Sequence, residues 1–165
     1  RGPCPFRGWA VGEVGGKNVG STTIRRDPND NNRLLVTINN GYPSYAVDCE
    51  VEYVNAHATG TPVGDRVEGK SLLELFGPQG PPVSSTKSMT GHECWMAGAS
   101  EVCYSLLMMR DGFVAPNINL DRLDPDLAGL DVVQTARETR PRLVLSNSFG
   151  FGGTNASVLL AAFER

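Results

Sequence analysis

Apolar and β-branched residues in this chain gather in short runs between polar or glycine-rich segments. Runs of this kind, bounded by turn residues, predict β-strands. Six segments meet the description: Phe6–Val14, Leu34–Ile38, Val51–Asn55, Val83–Thr86, Arg142–Ser146 and Ala156–Phe163. The last is apolar at successive positions, which indicates a strand covered on both faces.

Two segments have the spacing of an amphipathic helix instead. Arg66–Phe76 follows Asp65, which we expect to be the N-cap, and precedes Gly77, a typical helix-ending residue. The second segment, Ala97–Arg110, has apolar positions about one or two turns apart at Val102, Leu106 and Met109. Because strands and helices alternate, the pattern predicts an α/β fold with helices layered on a sheet.

The first fifty residues lack this regularity. Asp27–Asn32 and Asn39–Pro43 are polar turn clusters, and nothing in this region predicts a helix. We therefore divide the chain into an irregular N-terminal segment with short strands, residues 1–50, and a regular domain, residues 51–165.

The composition narrows the class of protein. A chain of 165 residues that is 40% hydrophobic and 20% charged can bury the core of a globular domain. Its net charge of -3 offers no basic surface for nucleic acid, and no apolar run reaches the roughly 18 residues of a membrane helix. The chain begins without an initiating Met or a signal peptide, so we expect a fragment, a processed product or one piece of a split protein.

The cysteines are not spaced like a metal site or a compact disulfide scaffold. We expect them to be free thiols in a reducing, cytoplasmic compartment: Cys4, Cys49, Cys94 and Cys103. A zinc site built from His57, His92 and Cys94 would lack a fourth ligand, so we expect no metal.

The only two histidines lie in separate loops that carry candidate chemistry. His57 follows the strand Val51–Asn55 and precedes two hydroxyls, Thr59 and Thr61, that an extended segment can point the same way. A neutral imidazole in an enclosed loop can stabilise an oxyanion or transfer a proton. The alternative is a core histidine whose hydrogen bonds fix the loop.

The second loop, Thr86–His92, also carries Lys87. A lysine between a strand and a turn of small residues is predicted to be buried and to need a carboxylate partner, for which Glu101 is the candidate. Its positive charge would favour a neutral His92. The alternative is an exposed lysine beside a turn histidine.

The third loop, Phe149–Asn155, combines glycines with aromatic residues: Gly150, Gly152, Gly153, Phe149 and Phe151. Glycines permit backbone conformations in which several amides point at one oxygen, forming an oxyanion hole. The phenylalanines can wall off an apolar channel. The alternative is a hairpin turn with ordinary aromatic packing.

A less favoured hypothesis, a nucleotide-binding protein, comes from Gly64–Ser71, which matches the phosphate-loop pattern. Asp65 and Glu68 would put two carboxylates inside the cradle and oppose phosphate binding. No strand runs directly into Gly64, and the interior of the motif has a helical pattern. The context therefore argues against this site.

Taken together, the three loops resemble a known family. Asn55–Glu68, Ser85–Glu101 and Ser146–Ala156 resemble, in the same order, the C-terminal half of a β-ketoacyl-acyl carrier protein synthase, a condensing enzyme of the thiolase fold. The resemblance covers residues 51–165, and Ser105–Met109 is most similar to the type I, elongating branch. It implies a thiolase-like half with a mixed sheet layered with helices.

The resemblance also implies a decarboxylative Claisen condensation in fatty acid or polyketide synthesis. A cysteine carries the acyl chain as a thioester, malonyl-acyl carrier protein loses CO₂, and its enolate attacks the thioester. The two histidines bind the malonyl carbonyl, the lysine and its carboxylate order the charges, and the threonines hold the phosphopantetheine arm. The implied catalytic residues are His57, His92, Lys87, Glu101 and Phe151, and the implied substrate-binding residues are Thr59, Thr61, Phe149, Gly152 and Gly153.

The implied partners are acyl carrier protein, whose phosphopantetheine brings the substrates, the missing N-terminal half, and a second copy in a homodimer of the complete protein. No other cofactor, nucleic acid or membrane is implied. The family's nucleophilic cysteine lies in a small-residue turn at a helix start, a context that none of the four cysteines has, so we expect the isolated chain to be inactive.

Two further departures stand out. Glu93–Met96 replaces the family's small residues after the second histidine, and residues 17–50 do not resemble the helix-bearing segment expected there. The second hypothesis is a non-catalytic partner subunit that shapes acyl length or stabilises another ketosynthase chain, which the retention of His57, Lys87 and His92 weakens.

Overall fold

The computed structural model describes residues 10–14, 21–27, 30–39 and 50–162. Its strands are β1 (Ala10–Val14), β2 (Ser21–Asp27), β3 (Asp30–Asn39), β4 (Tyr53–Asn55), β5 (Val83–Ser84), β6 (Phe113–Val114), β7 (Arg137–Glu138), β8 (Leu143–Phe149) and β9 (Asn155–Ala161). The helices are α1 (Pro62–Phe76), α2 (Lys87–Thr90) and α3 (Ala97–Asp111), with 3-10 turns at Cys94–Met96 and Pro125–Leu127.

Five strands form one mixed sheet in the order β1-β9-β8-β4-β5. β4 runs parallel to β5 and β8, and β9 returns antiparallel to β8 through the glycine-rich hairpin. Parallel neighbours end at the same edge of a sheet. The loops that follow β4, β5 and β8, which contain all three candidate motifs, therefore start from one edge.

The sheet is buried on both faces because its strands alternate between two apolar clusters. Val54 packs with Leu72 of α1 on one side. Tyr53, the preceding residue, packs with Met108 of α3 on the other. The predicted α/β fold, with helices layered on a mixed sheet, is confirmed.

The described part of the N-terminal segment forms strands. β1 joins β9 in the main sheet, while β2 and β3 pair antiparallel in a separate ribbon with an irregularity between Arg26 and Asp27. The predicted strand Leu34–Ile38 is confirmed inside β3. The predicted turn cluster Asp27–Asn32 lies where β2 ends at Asp27 and β3 begins at Asp30, and these two residues pair with each other. Residues 6–9, 28–29, 40–43 and 163 of the predicted elements lie outside the described residues, and the division at residue 50 stays a prediction.

The first long helix, α1, begins at Pro62, earlier than predicted. Thr61 occupies the N-cap position and proline fits the first helical turn, where its missing N–H costs nothing. Asp65 is not the N-cap; its Oδ1 accepts hydrogen bonds from the backbone N–H groups of Gly60 and Thr61, both at 3.2 Å. The predicted end is correct, since the N–H of Gly77 bonds to the carbonyl of Leu73.

The second long helix, α3, agrees with the prediction to within one residue. Gly112 follows it at φ 79 and donates its N–H to Met108, a left-handed cap. The strand predicted before Lys87 is shorter than expected, because Lys87 already begins the single turn of α2. Each described helix is too short or too polar to cross a membrane.

Candidate active site

The two imidazoles lie side by side. Their ring centroids are 5.5 Å apart with an interplanar angle of 88°. The ring of Phe149, from the end of β8, lies 5.6 Å from that of His57 in an edge-on arrangement. The structure thus brings together one ring from each of the three candidate loops.

His57 is held in its neutral form. Burial, then electrostatic repulsion from Lys87 and from His92, together lower the pKa of this imidazole from 6.5 to about 4. Its Nδ1 is buried and has no hydrogen-bond partner among the described residues. A neutral ring can donate one N–H to a substrate oxygen without adding a full charge to the site.

The orientation of His92 is set by the backbone that follows it. Its Nδ1 accepts a hydrogen bond of 3.0 Å from the N–H of Cys94, so the proton of the neutral ring lies on Nε2. Cys94 adopts φ 51, an unusual conformation for a residue with a side chain. His92 itself is exposed, so this Nε2–H is available to a ligand.

A buried ion pair lies behind the imidazoles. The ammonium of Lys87 bonds to the carboxylate of Glu101, and the two residues are 8% and 2% exposed. Burial raises the pKa of the Glu101 carboxyl, and the lysine opposes that shift. The predicted pairing of Lys87 with Glu101 is therefore present. The charge of Lys87 was expected to act on His92, but in the structure it lowers the pKa of His57.

Glu68 is a buried carboxylate that the sequence analysis did not assign to the site. It accepts hydrogen bonds from the backbone N–H groups of His57 (3.0 Å) and Ala58 (2.8 Å) and from the side-chain amide of Asn147 (3.0 Å). It therefore fixes the backbone that carries His57. The available signal was its position one helical turn before Leu72, because a charged residue on a buried face needs partners.

The glycine-rich segment forms the hairpin between β8 and β9, and its two phenylalanines have different surroundings. Gly152 and Gly153 have φ 90 and 91, which favour glycine, and the N–H of Gly150 bonds to the carbonyl of Thr154 at 2.7 Å. Phe149 contacts His57. The side chain of Phe151, in contrast, is fully exposed at 108%.

The threonines of the first loop lie at its exposed end. The Oγ1 atoms of Thr59 and Thr61 are 3.5 Å apart, within hydrogen-bond distance of each other. Both hydroxyls therefore occupy the same side of the segment that leads from His57 into α1, where they remain candidates for ligand contacts.

The phosphate-loop hypothesis is wrong. Residues 64–71 lie entirely within α1, so no loop of free amides exists there. The side chain of Lys70 forms an exposed ion pair of 2.8 Å with Asp126, and Glu68 is engaged with the His57 loop.

Two of the four cysteines are described, and both are exposed free thiols: Cys94 and Cys103. Cys94 opens the 3-10 turn that leads into α3, and its Sγ lies 3.7 Å from the carbonyl oxygen of His92. Its neighbours Trp95 and Met96 are large and exposed, so this helix start differs from a small-residue turn.

Comparisons with known proteins identify the family of this chain. A family model described as "Beta-ketoacyl synthase, C-terminal domain" matches residues 9–121. The chain is 47% identical over 116 residues to 3-oxoacyl-[acyl-carrier-protein] synthase 1 of Escherichia coli strain K12, covering 70% of this chain and 29% of the relative. It is 42% identical over 117 residues to 3-oxoacyl-[acyl-carrier-protein] synthase 2 of Mycobacterium bovis, covering 69% and 27%.

Solved structures give the same result. A β-ketoacyl synthase from Burkholderia phymatum is similar with a TM-score of 0.63 and 38% identity, covering 69% of this chain and 28% of that chain. A ketosynthase described as a type II PKS complex with its acyl-carrier protein is similar with a TM-score of 0.65 and 31% identity, with coverage of 69% and 28%. The chain thus spans less than a third of the curated relatives it matches. It belongs to the β-ketoacyl synthase family, whose C-terminal domain it carries.

Proposed function

We propose that this chain is the C-terminal portion of an elongating β-ketoacyl-acyl carrier protein synthase in fatty acid or polyketide synthesis. The observation that carries the proposal is the pair of imidazoles 5.5 Å apart, one of them held neutral by burial and a fixed ammonium. Two N–H donors in one place suit a carbonyl oxygen on which negative charge develops.

The proposed reaction is decarboxylative Claisen condensation. Malonyl-acyl carrier protein loses CO₂, the electrons of the broken C–C bond form a thioester enolate, and the enolate carbon attacks the acyl thioester on a cysteine, which leaves as a thiolate. His57 and His92 donate to the enolate oxygen. Lys87 is paired with Glu101, but its ammonium still contributes positive potential at His57.

The remaining site residues take supporting roles in this proposal. Thr59 and Thr61 hold the phosphopantetheine arm with their paired hydroxyls. The hairpin amides at Phe151, Gly152 and Gly153 contribute the oxyanion hole for the acyl thioester, and Phe149 packs the wall beside His57.

Several parts of the enzyme come from outside the chain in this proposal. The nucleophilic cysteine belongs to an N-terminal portion, consistent with the small share of each relative that the chain spans. The partners are acyl carrier protein and a second copy of the complete subunit, in the cytoplasm, with no cofactor beyond carrier-bound phosphopantetheine and with neither nucleic acid nor membrane as a partner.

A chimera tests the function. The matching C-terminal segment of the E. coli synthase 1 is replaced by this chain, and CO₂ release from malonyl-acyl carrier protein and β-ketoacyl product are measured. We expect activity from the chimera and none from the chain alone. His57→Ala and His92→Ala should each lower turnover about 100-fold or more, while Cys103→Ser, at an exposed helix position, serves as the control.

Three outcomes would contradict the proposal or change it. Turnover or acyl loading on Cys94 by the chain alone would show that the nucleophile is present here. A folded chimera that lacks both activities would exclude a condensing site. Product formation unaffected by either histidine substitution would indicate the non-catalytic partner role instead.

A further inference from the structure

Asn55, the last residue of β4, is completely buried two residues before His57. Its side chain lies on none of the surfaces that a substrate would reach. A buried carboxamide carries two donor hydrogens and two acceptor lone pairs, all of which need partners.

The structure satisfies all four positions. Nδ2 donates to Oγ of Ser105 at 3.2 Å and to the backbone carbonyl of Glu101 at 3.4 Å. Oδ1 accepts from the backbone N–H and from the hydroxyl of Thr86, both at 3.4 Å. The side chain thus joins the segment before α2 to α3.

Two of these hydrogen-bond partners, Thr86 and Glu101, lie next to or within the buried ion pair. Thr86 directly precedes Lys87, and Glu101 is the residue whose carboxylate receives the ammonium. One carboxamide is therefore bonded to the backbone beside the cation and to the backbone of the anion. A lysine side chain has several rotatable bonds, so its head group stays in place only if both ends of the pair are fixed.

We propose that Asn55 is a positioning residue that holds the Lys87–Glu101 pair at a fixed place beside His57. The catalytic value of this arrangement rests on the proposed function, but the arrangement itself does not. The groups that bear on His57 are the ammonium of Lys87, the imidazole of His92, and the carboxylate of Glu68 on its backbone N–H. Of these three groups, only the ammonium of Lys87 has neighbours that Asn55 bonds directly, namely Thr86 and Glu101.

NMR titration of the complete chain tests the proposal without any turnover, so its failure is separate from failure of the proposed function. The chain has two histidines, and His92→Gln assigns the remaining ring signal to His57. We expect Asn55→Leu, nearly equal in shape, to raise the His57 pKa by about one unit, since a misplaced ammonium repels the imidazolium less.

A double-mutant cycle identifies the route of the effect. In a Lys87→Met background, Asn55→Leu should produce no additional shift of the His57 titration. An equal shift with and without the lysine would show that Asn55 acts on His57 by another path and would overturn the proposal.

Tyr53→Phe is the matched control, because it removes another buried hydrogen bond from β4, that between the Tyr53 hydroxyl and Ser84. It should destabilise the chain while leaving the His57 titration in place. If the Asn55 variants do not fold, Thr86→Val and Ser105→Ala each remove one bond to the carboxamide. We expect smaller rises from these, and an unchanged His57 titration in both would contradict the proposal.

Discussion

Burial acts in different ways on the basic side chains of this site. The imidazole of His57 has no carboxylate partner for its ring and is kept neutral, with its pKa lowered to about 4. The ammonium of Lys87 is buried more deeply but is bonded to Glu101. The site therefore contains a neutral donor, His57, beside a fixed cation, Lys87, because only the lysine is paired with a carboxylate.

The His57 pKa predicts how stability depends on pH. Between about 6.5 and about 4 the unfolded chain binds a proton on this residue and the folded chain does not. Stability is therefore complete above pH 6.5 and falls as the pH decreases through this window. Urea unfolding from pH 7 to pH 4 should show a steeper loss for the unaltered chain than for His57→Gln. Equal slopes would contradict the lowered pKa.

The two lysine–carboxylate pairs differ mainly in burial, which predicts very different costs of removal. Lys87→Met leaves Glu101 buried and unpaired, and we expect a loss of about 3–5 kcal/mol in the free energy of unfolding. Lys70→Met breaks the exposed pair with Asp126, with an expected loss below about 1 kcal/mol. Denaturant unfolding of both variants is the measurement, and Lys87→Met/Glu101→Leu should recover much of the larger loss.

At the scale of elements, Glu68 of α1 connects β8 to the first loop, because it bonds both Asn147 and the backbone of His57. The buried face of α1 presents Leu72 to the core and, one turn earlier, Glu68 to the backbone of His57. The helix also contains Gly69, where a Cβ would come within 2.7 Å of a methyl of Leu127. Glycine is unfavourable inside a helix, but the close packing of Leu127 leaves no room for a side chain at position 69.

Glu68→Gln should loosen the His57 loop. The amide keeps the shape of the carboxylate but turns one acceptor into a donor that faces N–H groups, so we expect a loss of about 1–3 kcal/mol in stability. Hydrogen exchange at the amides of His57 and Ala58 should accelerate. Glu74→Gln, an exposed change in the same helix, is the control and should alter neither quantity.

The elements that were predicted well are those whose signals are local. α3 ends at a glycine in the left-handed cap, so its limits follow from the sequence, although Leu106 of the predicted apolar face is exposed. The start of α1 did not follow, since Asp65 is a good N-cap residue by type and only the structure shows it bonded to Gly60 and Thr61. Likewise, the inclusion of residues 30–32 in β3 did not follow from their residue types, which are typical of turns.

The site divides in the same way. Residue types and motif order indicated His57, His92, Lys87 and Glu101. In the structure the two imidazoles lie side by side, and Lys87 bonds to Glu101. Asn55 and Asn147 were not identified, because a buried carboxamide is recognised by its partners and those lie on other elements.

On the scale of the whole molecule, large apolar side chains remain on the surface near the site. Trp95 and Phe151 are exposed at 103% and 108%, and Met96 at 59%. Exposed groups of this size are typical of surfaces that another polypeptide covers. This agrees with a chain that spans 29% of its E. coli relative.

These side chains predict concentration-dependent association of the isolated chain. Sedimentation of the unaltered chain should show self-association that Trp95→Gln/Phe151→Gln reduces, because the double change removes apolar area from water contact without touching the core. Val63→Gln is the comparison variant, because it changes an exposed apolar residue elsewhere, on α1. An unaltered chain that stays monomeric at high concentration would contradict the expectation.

The ladder that joins β4 to both β5 and β8 has a consequence for how such a domain can diversify. Each loop leaves the sheet from a strand whose register is held by its neighbours, so a change inside one loop leaves the starting points of the others where they were. The second loop carries the large exposed side chains of Trp95 and Met96, while His92 still faces His57. The scaffold therefore allows the residues around the two imidazoles to change one loop at a time.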